Sequence, residues 1–350
     1  SRQVCPFLLF YMTGFSLVSH YFHHRSTVEN VLMKMNVKCG GHNCSPRHDQ
    51  FSEALWKGSA SAPRTLIIGF DVAHPPPLSS KERMRGEKIT APSIVGWSFN
   101  VGPSPDSFVG DYHYQGTNRE RVENSILERR TKWSLLEFEK CWGGLPELII
   151  VCRDGTSMGQ HKHALEECDQ MREAAREYAV SDYRVNAIKG SKKDDHYNPK
   201  VIFTLTVKRH HDRLAKKQDD GTLVNPPPGI MVDKLLTSPG SFSFYLQAHT
   251  AVKKDSTVKG TWYYILKNDV GATKEAMTSF ILRLCADHQV SANNTSIVEP
   301  VYQADEWAKR GSNNYKEMLK QSNGNASDFE KLTEELAYWN CELKCLRVNA

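Results

Sequence analysis

The chain has 350 residues, enough for one large domain with extensions and an ample core. Its 45 Lys and Arg against 40 Asp and Glu give +5, a mild bias that only weakly favours a polyanionic partner. Nine cysteines, an odd number without paired Cys-x-x-Cys spacing, argue against a zinc cluster or a disulfide framework and fit a reducing compartment.

Pro6–Ser19 is apolar-rich but only about 14 residues long, short of the roughly 20 that a membrane-spanning helix needs. It is expected to be a buried element of a truncated preceding domain or a divergent segment, and a chain opening on Ser is expected to lack its natural N-terminus. His20, His23 and His24 resemble a metal cluster only superficially and receive no role. Ser26–Gly41 has helical periodicity through Val28, Val31, Leu32 and Met35, then turns at Gly40-Gly41. Residues 42–64 are polar and irregular. The expected organisation is a divergent head and junction over 1–41, a linker over 42–64 and the main domain over 65–350.

Three strands are predicted next, Thr65–Asp71, Pro92–Asn100 and Ser107–Gln115; Gly-Pro-Ser-Pro-Asp between the last two implies an antiparallel meander. Asn118–Lys140 is a predicted helix with Val122, Ile126, Trp133 and Leu136 on one face and Gly143-Gly144 at its end. A strand over Glu147–Cys152 follows, then a helix near Gln160–Tyr178. Strands over Tyr183–Ile188 and Val201–Val207 flank a lysine-rich loop. Thr222–Gly229 is a Pro-rich loop, Thr261–Leu266 a strand, and Lys274–His288 a helix whose apolar face carries Met277, Ile281, Leu284 and Cys285. Asn323–Asp328 is a polar insertion before a last helix, Phe329–Leu346, and no internal repeat is visible.

Thr65–Phe70 is apolar except at its ends, and the prolines after His74 cannot continue a central sheet. Asp71 therefore stands at the C-terminal mouth of a buried strand, where open α/β sheets place their chemistry. Asp154 repeats the arrangement 83 residues later, after Glu147–Cys152 and within Arg153-Asp154-Gly155. The order β-β-β-α-β-α-β, with acids on the first and fourth strands, is the ribonuclease H-like pattern. That is an α/β fold, a mixed sheet flanked by helices, in which those two strands are neighbours. Between Arg184 and Lys217, ten Lys and Arg stand against three Asp. Two strand-borne aspartates in such a chain point to a metal site acting on phosphodiesters.

Four motifs then occur in order: Ile-Ile-Gly-Phe-Asp71-Val-Ala-His-Pro-Pro, Arg-Asp154-Gly, Val207-Lys-Arg-His-His-Asp-Arg213, and Ser296-Ile-Val-Glu-Pro-Val-Tyr-Gln-Ala-Asp305. Together they resemble the PIWI domain of eukaryotic Argonaute proteins over about Ser26 to Tyr315. Lys34-Met-Asn-Val-Lys38-Cys-Gly-Gly41 resembles the segment joining the MID domain to PIWI. The resemblance implies that Asp71, Asp154 and Asp305 are metal ligands. Asp305 stands at a position that is often His in animal slicers. The fourth catalytic residue is a glutamate after the third strand: Glu123 by the spacing counted back from Pro146, with Glu120, one turn away, as the competing choice. The resemblance also implies RNA contacts by Lys34 and Lys38 at the guide 5′-phosphate pocket, by Lys208, Arg209, His210 and Arg213 along the guide, and by His249 and Lys259. Lys259 replaces an arginine and loses its bidentate geometry. Trp262, Tyr263 and Tyr264 are read as core. The chain departs from the family in a Lys/Arg/Glu-rich insertion within Asp71–Thr90, a slightly longer Ala248–Gly260, and a C-terminus lacking the usual aromatic. The family's N-terminal, PAZ and most MID regions are missing.

Clustered carboxylates suit Mg²⁺ or Mn²⁺, hard cations that prefer oxygen. Two such ions roughly 3.5–4 Å apart activate a water and neutralise charge around a phosphodiester. The function implied by the resemblance is therefore a small-RNA-guided endoribonuclease that cleaves a complementary target RNA in silencing. It would work in the cytoplasm or nucleus, with silencing partner proteins and without a membrane. Its rivals are an Argonaute module that holds guide RNA without cutting and a ribonuclease H-like cutter of RNA–DNA hybrids. The Lys-Arg-His-His and Tyr-x-Ala-Asp motifs argue against the hybrid cutter.

Overall fold

The structure, a computed structural model, describes residues 25–45, 55, 64–101, 106–155, 158–234, 237, 240–251, 256–321 and 328–349. Pro6–Ser19 and His20, His23 and His24 lie outside them. Helix α1 (Arg25–Lys38) precedes the main sheet. The strands of that sheet are β1 (Thr65–Ala73), β2 (Ser93–Asn100), β3 (Phe108–Gln115), β4 (Leu148–Asp154), β5 (Lys200–Val207), β8 (Ile230–Val232), β9 (Ser243–Gln247) and β10 (Thr261–Asn268). A short helix, α2 (Ser80–Met84), lies between β1 and β2. Two-residue strands β6 (Lys216–Lys217) and β7 (Leu223–Val224) form a separate ribbon, the latter inside the predicted Pro-rich loop.

The eight strands run in the order β3-β2-β1-β4-β5-β10-β9-β8. β1 pairs antiparallel with β2 and parallel with β4, and β4 parallel with β5. The predicted first and fourth strands are thus neighbours. β8 and β9 lacked an apolar run long enough to be noticed in the sequence.

Strand alternation divides the core. Leu66, Ile68 and Phe70 of β1 and Ile149 and Val151 of β4 face one layer, built on α3 (Asn124–Trp142) and α4 (His161–Val180) through Trp133, Leu136, Met171 and Tyr178. Ile67, Ile150 and Cys152 face the other layer. That layer consists of α6 (Lys274–Ala286), which contributes Met277, Phe280 and Leu284, and the start of α7 (Glu299–Gln321). Further along, α7 sets Trp307, Ala308 and Tyr315 against Ile94, Tyr112 and Tyr114 of β2 and β3. Each fully buried large apolar side chain contributes roughly 1.5–3 kcal/mol.

Two glycines let α7 lie directly on the sheet. A Cβ at Gly69 would fall 2.3 Å from the Pro300 carbonyl, and one at Gly96 only 1.8 Å from the Ala304 carbonyl oxygen. Gly96 is the β2 partner of Asp71, so this contact seats Asp305 above the end of β1.

The structure corrects three sequence-based expectations. Tyr183–Ile188 is not a strand; Asp182–Ala187 is a short helix, α5. Ser181 caps it by accepting from the Arg184 amide, and buried Arg184 bonds Glu139 at 2.7 Å. The helix predicted from Asn118 begins at Asn124, because Asn118 adopts a left-handed φ of 56° and turns the chain. The last helix, α8 (Phe329–Leu336), ends ten residues earlier than Leu346. There the backbone breaks so that the Tyr338 and Trp339 amides donate to buried Asp111, at 3.1 and 3.0 Å. Among the described residues no helix is long and apolar enough to cross a membrane.

Candidate active site

Because β1 and β4 are parallel neighbours with Phe70 level with Arg153, Asp71 and Asp154 emerge side by side at the mouths of adjacent strands. Neighbouring strands are separated by roughly 4.7–4.9 Å, and the two carboxyls are hydrogen-bonded to each other. Both point to the face covered by α7, the face of Ile67 and Cys152.

The Asp71 carboxyl is held well above its ordinary range, first by burial, then by the charges of Asp154 and Asp305. Asp154 is also raised by burial, opposed by hydrogen bonds from the Gly155 amide and Asp71 and by the charges of Arg209 and Arg153. Neither carboxyl makes an ion pair among the described residues.

Asp305 reaches the site from α7. Its charge is felt at Asp71, but its carboxylate pairs with Lys309 at 2.7 Å, one turn along the helix. As the side chains stand, no three His, Cys, Asp or Glu among the described residues converge tightly enough to hold a metal ion. The donor set still fits a hard divalent cation. Asp71 and Asp154 present only oxygen, and Asp305 would join them on leaving Lys309.

Glu123 is held at the start of the helix that follows β3. It is the N-terminal flanking residue of α3, and its carboxylate pairs with Arg119 at 2.6 Å. Glu120 is the glutamate tied to the site. It bonds His74 Nε2 at 2.9 Å, three residues past Asp71, and Arg153 Nη1 at 3.4 Å, one residue before Asp154. Counting residues back from Pro146 could not show this, because the left-handed turn at Asn118 lies between β3 and α3.

Arg153 lies on the sheet face opposite Asp154. It packs over Phe70 at 5.5 Å, and its Nε donates to buried Glu167 at 2.6 Å. That anchor holds Glu120 at the strand ends from the side away from α7.

The expected nucleic-acid contacts separate into groups. Lys38 is half-buried, and its ammonium pKa is lowered by burial and then by the neighbouring Arg310 and Lys34. Arg310 belongs to α7 and donates to the Val348 carbonyl at 2.5 Å. Sequence reasoning missed it, since only the fold brings position 310 beside position 38. Lys208, Arg213 and Lys259 form a second cationic group: partial burial, Arg213 and Lys208 all lower the Lys259 ammonium. His249 joins it, its imidazole lowered by burial and then by Lys208. Arg209 links the group to the aspartates through its charge at Asp154.

His210 does not fit the role of an RNA contact. β5 ends at Val207, so strand alternation no longer orients the residues beyond it. The imidazole is instead buried, with Nε2 on the Gly260 carbonyl at 2.8 Å and the ring edge-on to Tyr245. Trp262 stacks on Tyr245 at 4.9 Å within the fold.

The family model of the Piwi domain matches residues 13–316. The chain is similar to Argonaute protein wago-1 of Caenorhabditis elegans, with 31% identity over 337 residues, covering 93% of this chain and 32% of that protein. Among solved structures it resembles the C-terminal lobe of a budding yeast Argonaute, with 26% identity and a TM-score of 0.70, covering 87% of this chain and 57% of that one. It matches the Kluyveromyces polysporus Argonaute with a guide RNA at the same identity and TM-score, over 87% of this chain and 32% of that chain. The chain thus spans about a third of the length of the curated relatives it matches. Its mixed sheet flanked by helices is the ribonuclease H-like arrangement of those Argonaute lobes. A family match over most of the chain, on a fold that sets two carboxyls at adjacent strand mouths, places this protein in the Piwi-domain family, among the Argonautes.

Proposed function

We propose that this chain is the nuclease lobe of an RNA-guided endoribonuclease that cuts a target RNA paired to a small guide RNA. The observation that carries this reading is the hydrogen-bonded Asp71–Asp154 pair at the strand mouths, with the charge of Asp305 acting on it. Asp71, Asp154 and Asp305 would hold Mg²⁺ or Mn²⁺, and Glu120, rather than Glu123, would complete the set. When bound, two such ions supply an activated water and charge neutralisation at the phosphodiester.

The chain's own residues do the rest. Asp71 and Asp154 would act as ligands in their ionised form, and Arg153 and His74 fix Glu120 at the edge of the site. Lys208, Arg209, Arg213 and Lys259 form a cationic surface leading to the aspartates, with His249 beside it, suited to a phosphate backbone. Lys34, Lys38 and Arg310 form a compact cationic cluster suited to a terminal phosphate of a guide RNA. A reducing compartment, the cytoplasm or nucleus, belongs to the same reading, as do silencing partner proteins.

The Asp305–Lys309 ion pair favours a second reading, in which the lobe holds guide and target without cutting. The test is Mg²⁺-dependent cleavage of a complementary RNA by the full-length protein, compared with Asp154→Ala. Cleavage by the wild type alone supports the nuclease. Guide and target binding without cleavage by either supports the second reading.

A further inference from the structure

We propose that the segment between Leu78 and Lys88 is a strap that grips the RNA backbone beside the cleavage site and sets the position of Glu120. This inference rests on the nuclease reading above. The strap carries a preformed helical turn, α2, closed by a reciprocal cap: the Ser79 amide donates to Glu82 Oε2 at 2.6 Å, and the Glu82 amide donates to Ser79 Oγ at 3.3 Å. It buries nothing of its own, and Met84 is 89% exposed. A cap this complete on a turn without a core fixes shape for some purpose other than packing.

Its exposed side chains include Lys81, Arg83, Arg85 and Lys88 against Glu82 and Glu87. Glu82 is used in the cap, and Arg85 faces Glu87 at 3.7 Å. Lys81 and Lys88 meet no carboxylate among the described residues. The strap follows directly on the strand that carries Asp71, so its net positive charge stands at the mouth of the proposed site. The chemistry that complements it is a row of phosphates.

The chain on either side of the strap is bonded to the turn that carries Glu120. At the entry, His74 Nε2 meets Glu120 Oε2 at 2.9 Å, while its Nδ1 meets Ser93 Oγ at 3.0 Å. At the exit, Thr117 Oγ1 donates to the Thr90 carbonyl at 3.4 Å, and the Arg119 amide donates to Ser93 Oγ at 3.2 Å. Buried Ser93 therefore joins His74 to the residue preceding Glu120. A strap drawn onto RNA moves these anchors together, which makes Ser93 a positioning residue.

The experiment uses the full-length protein loaded with a 5′-phosphorylated guide, and follows target-RNA binding across salt and single-turnover cleavage. Replacing Lys81, Arg83, Arg85 and Lys88 together with Ala should shallow the plot of log affinity against log salt by about one unit for each phosphate no longer held, and slow cleavage. Ser93→Ala should leave affinity and salt slope unchanged and slow cleavage about tenfold or more, whereas Ser93→Thr, which keeps the hydroxyl, should restore the rate. An unchanged slope in the quadruple variant overturns the grip on RNA. A wild-type rate in Ser93→Ala overturns the coupling. If the wild type never cuts, the nuclease reading and the coupling fall together, while the salt slope still decides whether the strap holds RNA.

Discussion

Burial, then the charges of Asp154 and Asp305, raises the Asp71 carboxyl above its ordinary range, and burial raises that of Asp154. Ionising them is harder in the folded chain than in the unfolded one. Without metal, the pair therefore costs nothing below the ordinary value of 3.8, where both states are protonated, and destabilises progressively as pH rises above it. Asp71→Asn should accordingly melt above the wild type at about pH 7 in chelator, with the difference vanishing near about pH 4. Added Mg²⁺ should raise the melting temperature of the wild type and leave that of the variant unmoved. A variant that melts with the wild type at both pH values would show the pair to be ordinary ionised carboxylates. The glutamates separate at the same scale. Glu120→Gln should lose more than the roughly 10–100-fold typical of a residue that merely supports a metal ligand, whereas Glu123→Gln should keep most of the rate. Equal rates in the two variants, measured by single-turnover cleavage, would remove Glu120 from the site.

At the scale of elements, α7 delivers one ligand candidate only because β1 and β2 present no side chain beneath it. Gly96→Ala would place a Cβ 1.8 Å from the Ala304 carbonyl oxygen, a backbone atom that cannot turn aside. The helix must lift, at about 1–3 kcal/mol or more, and carry Asp305 away from Asp71. Calorimetry should show a lower melting temperature, and cleavage should fall much further than guide affinity. Intact cleavage would mean that the seat of α7 does not set the site. A buried ion pair helps to anchor the C-terminal segment. Arg130 and Asp111 bond at 3.1 Å with both side chains buried, and Asp111 also receives the Tyr338 and Trp339 amides. Asp111→Ala would strand a buried guanidinium and two amides, and should destabilise the fold by about 3–5 kcal/mol in denaturant titrations.

Across the whole molecule, the cationic groups lie on parts of the chain that are far apart in sequence. Lys34 and Lys38 come from α1, whereas Arg310 comes from the helix that also carries Asp305. One helix thus serves both the proposed phosphate pocket and the proposed cleavage site. Arg310→Ala should lower affinity for a 5′-phosphorylated guide more than for a 5′-hydroxyl guide, and reduce the salt slope by about one unit. Fluorescence anisotropy with the two guides across salt tests this, and equal losses for both would place Arg310 outside the phosphate pocket.

Much of this protein was legible without coordinates. Short apolar runs ended by Pro, Gly or a charged residue mark β1, β4 and β5, since a buried strand needs continuous apolar sequence and a chain break to stop it. Asp71 and Asp154 could be picked out for the same reason, standing one and two residues past such runs. Tertiary structure decided what depends on approach between distant segments. Asp305 could be matched to a motif, but its place above Asp71 rests on the Gly69 and Gly96 contacts. His210 belonged to a basic run, yet burial against Tyr245 removed it from the surface. Glu120 and Glu123 lie three residues apart in sequence. The left-handed turn at Asn118 and the partners at His74, Arg153 and Arg119 give the two carboxylates different surroundings, which their spacing alone does not reveal.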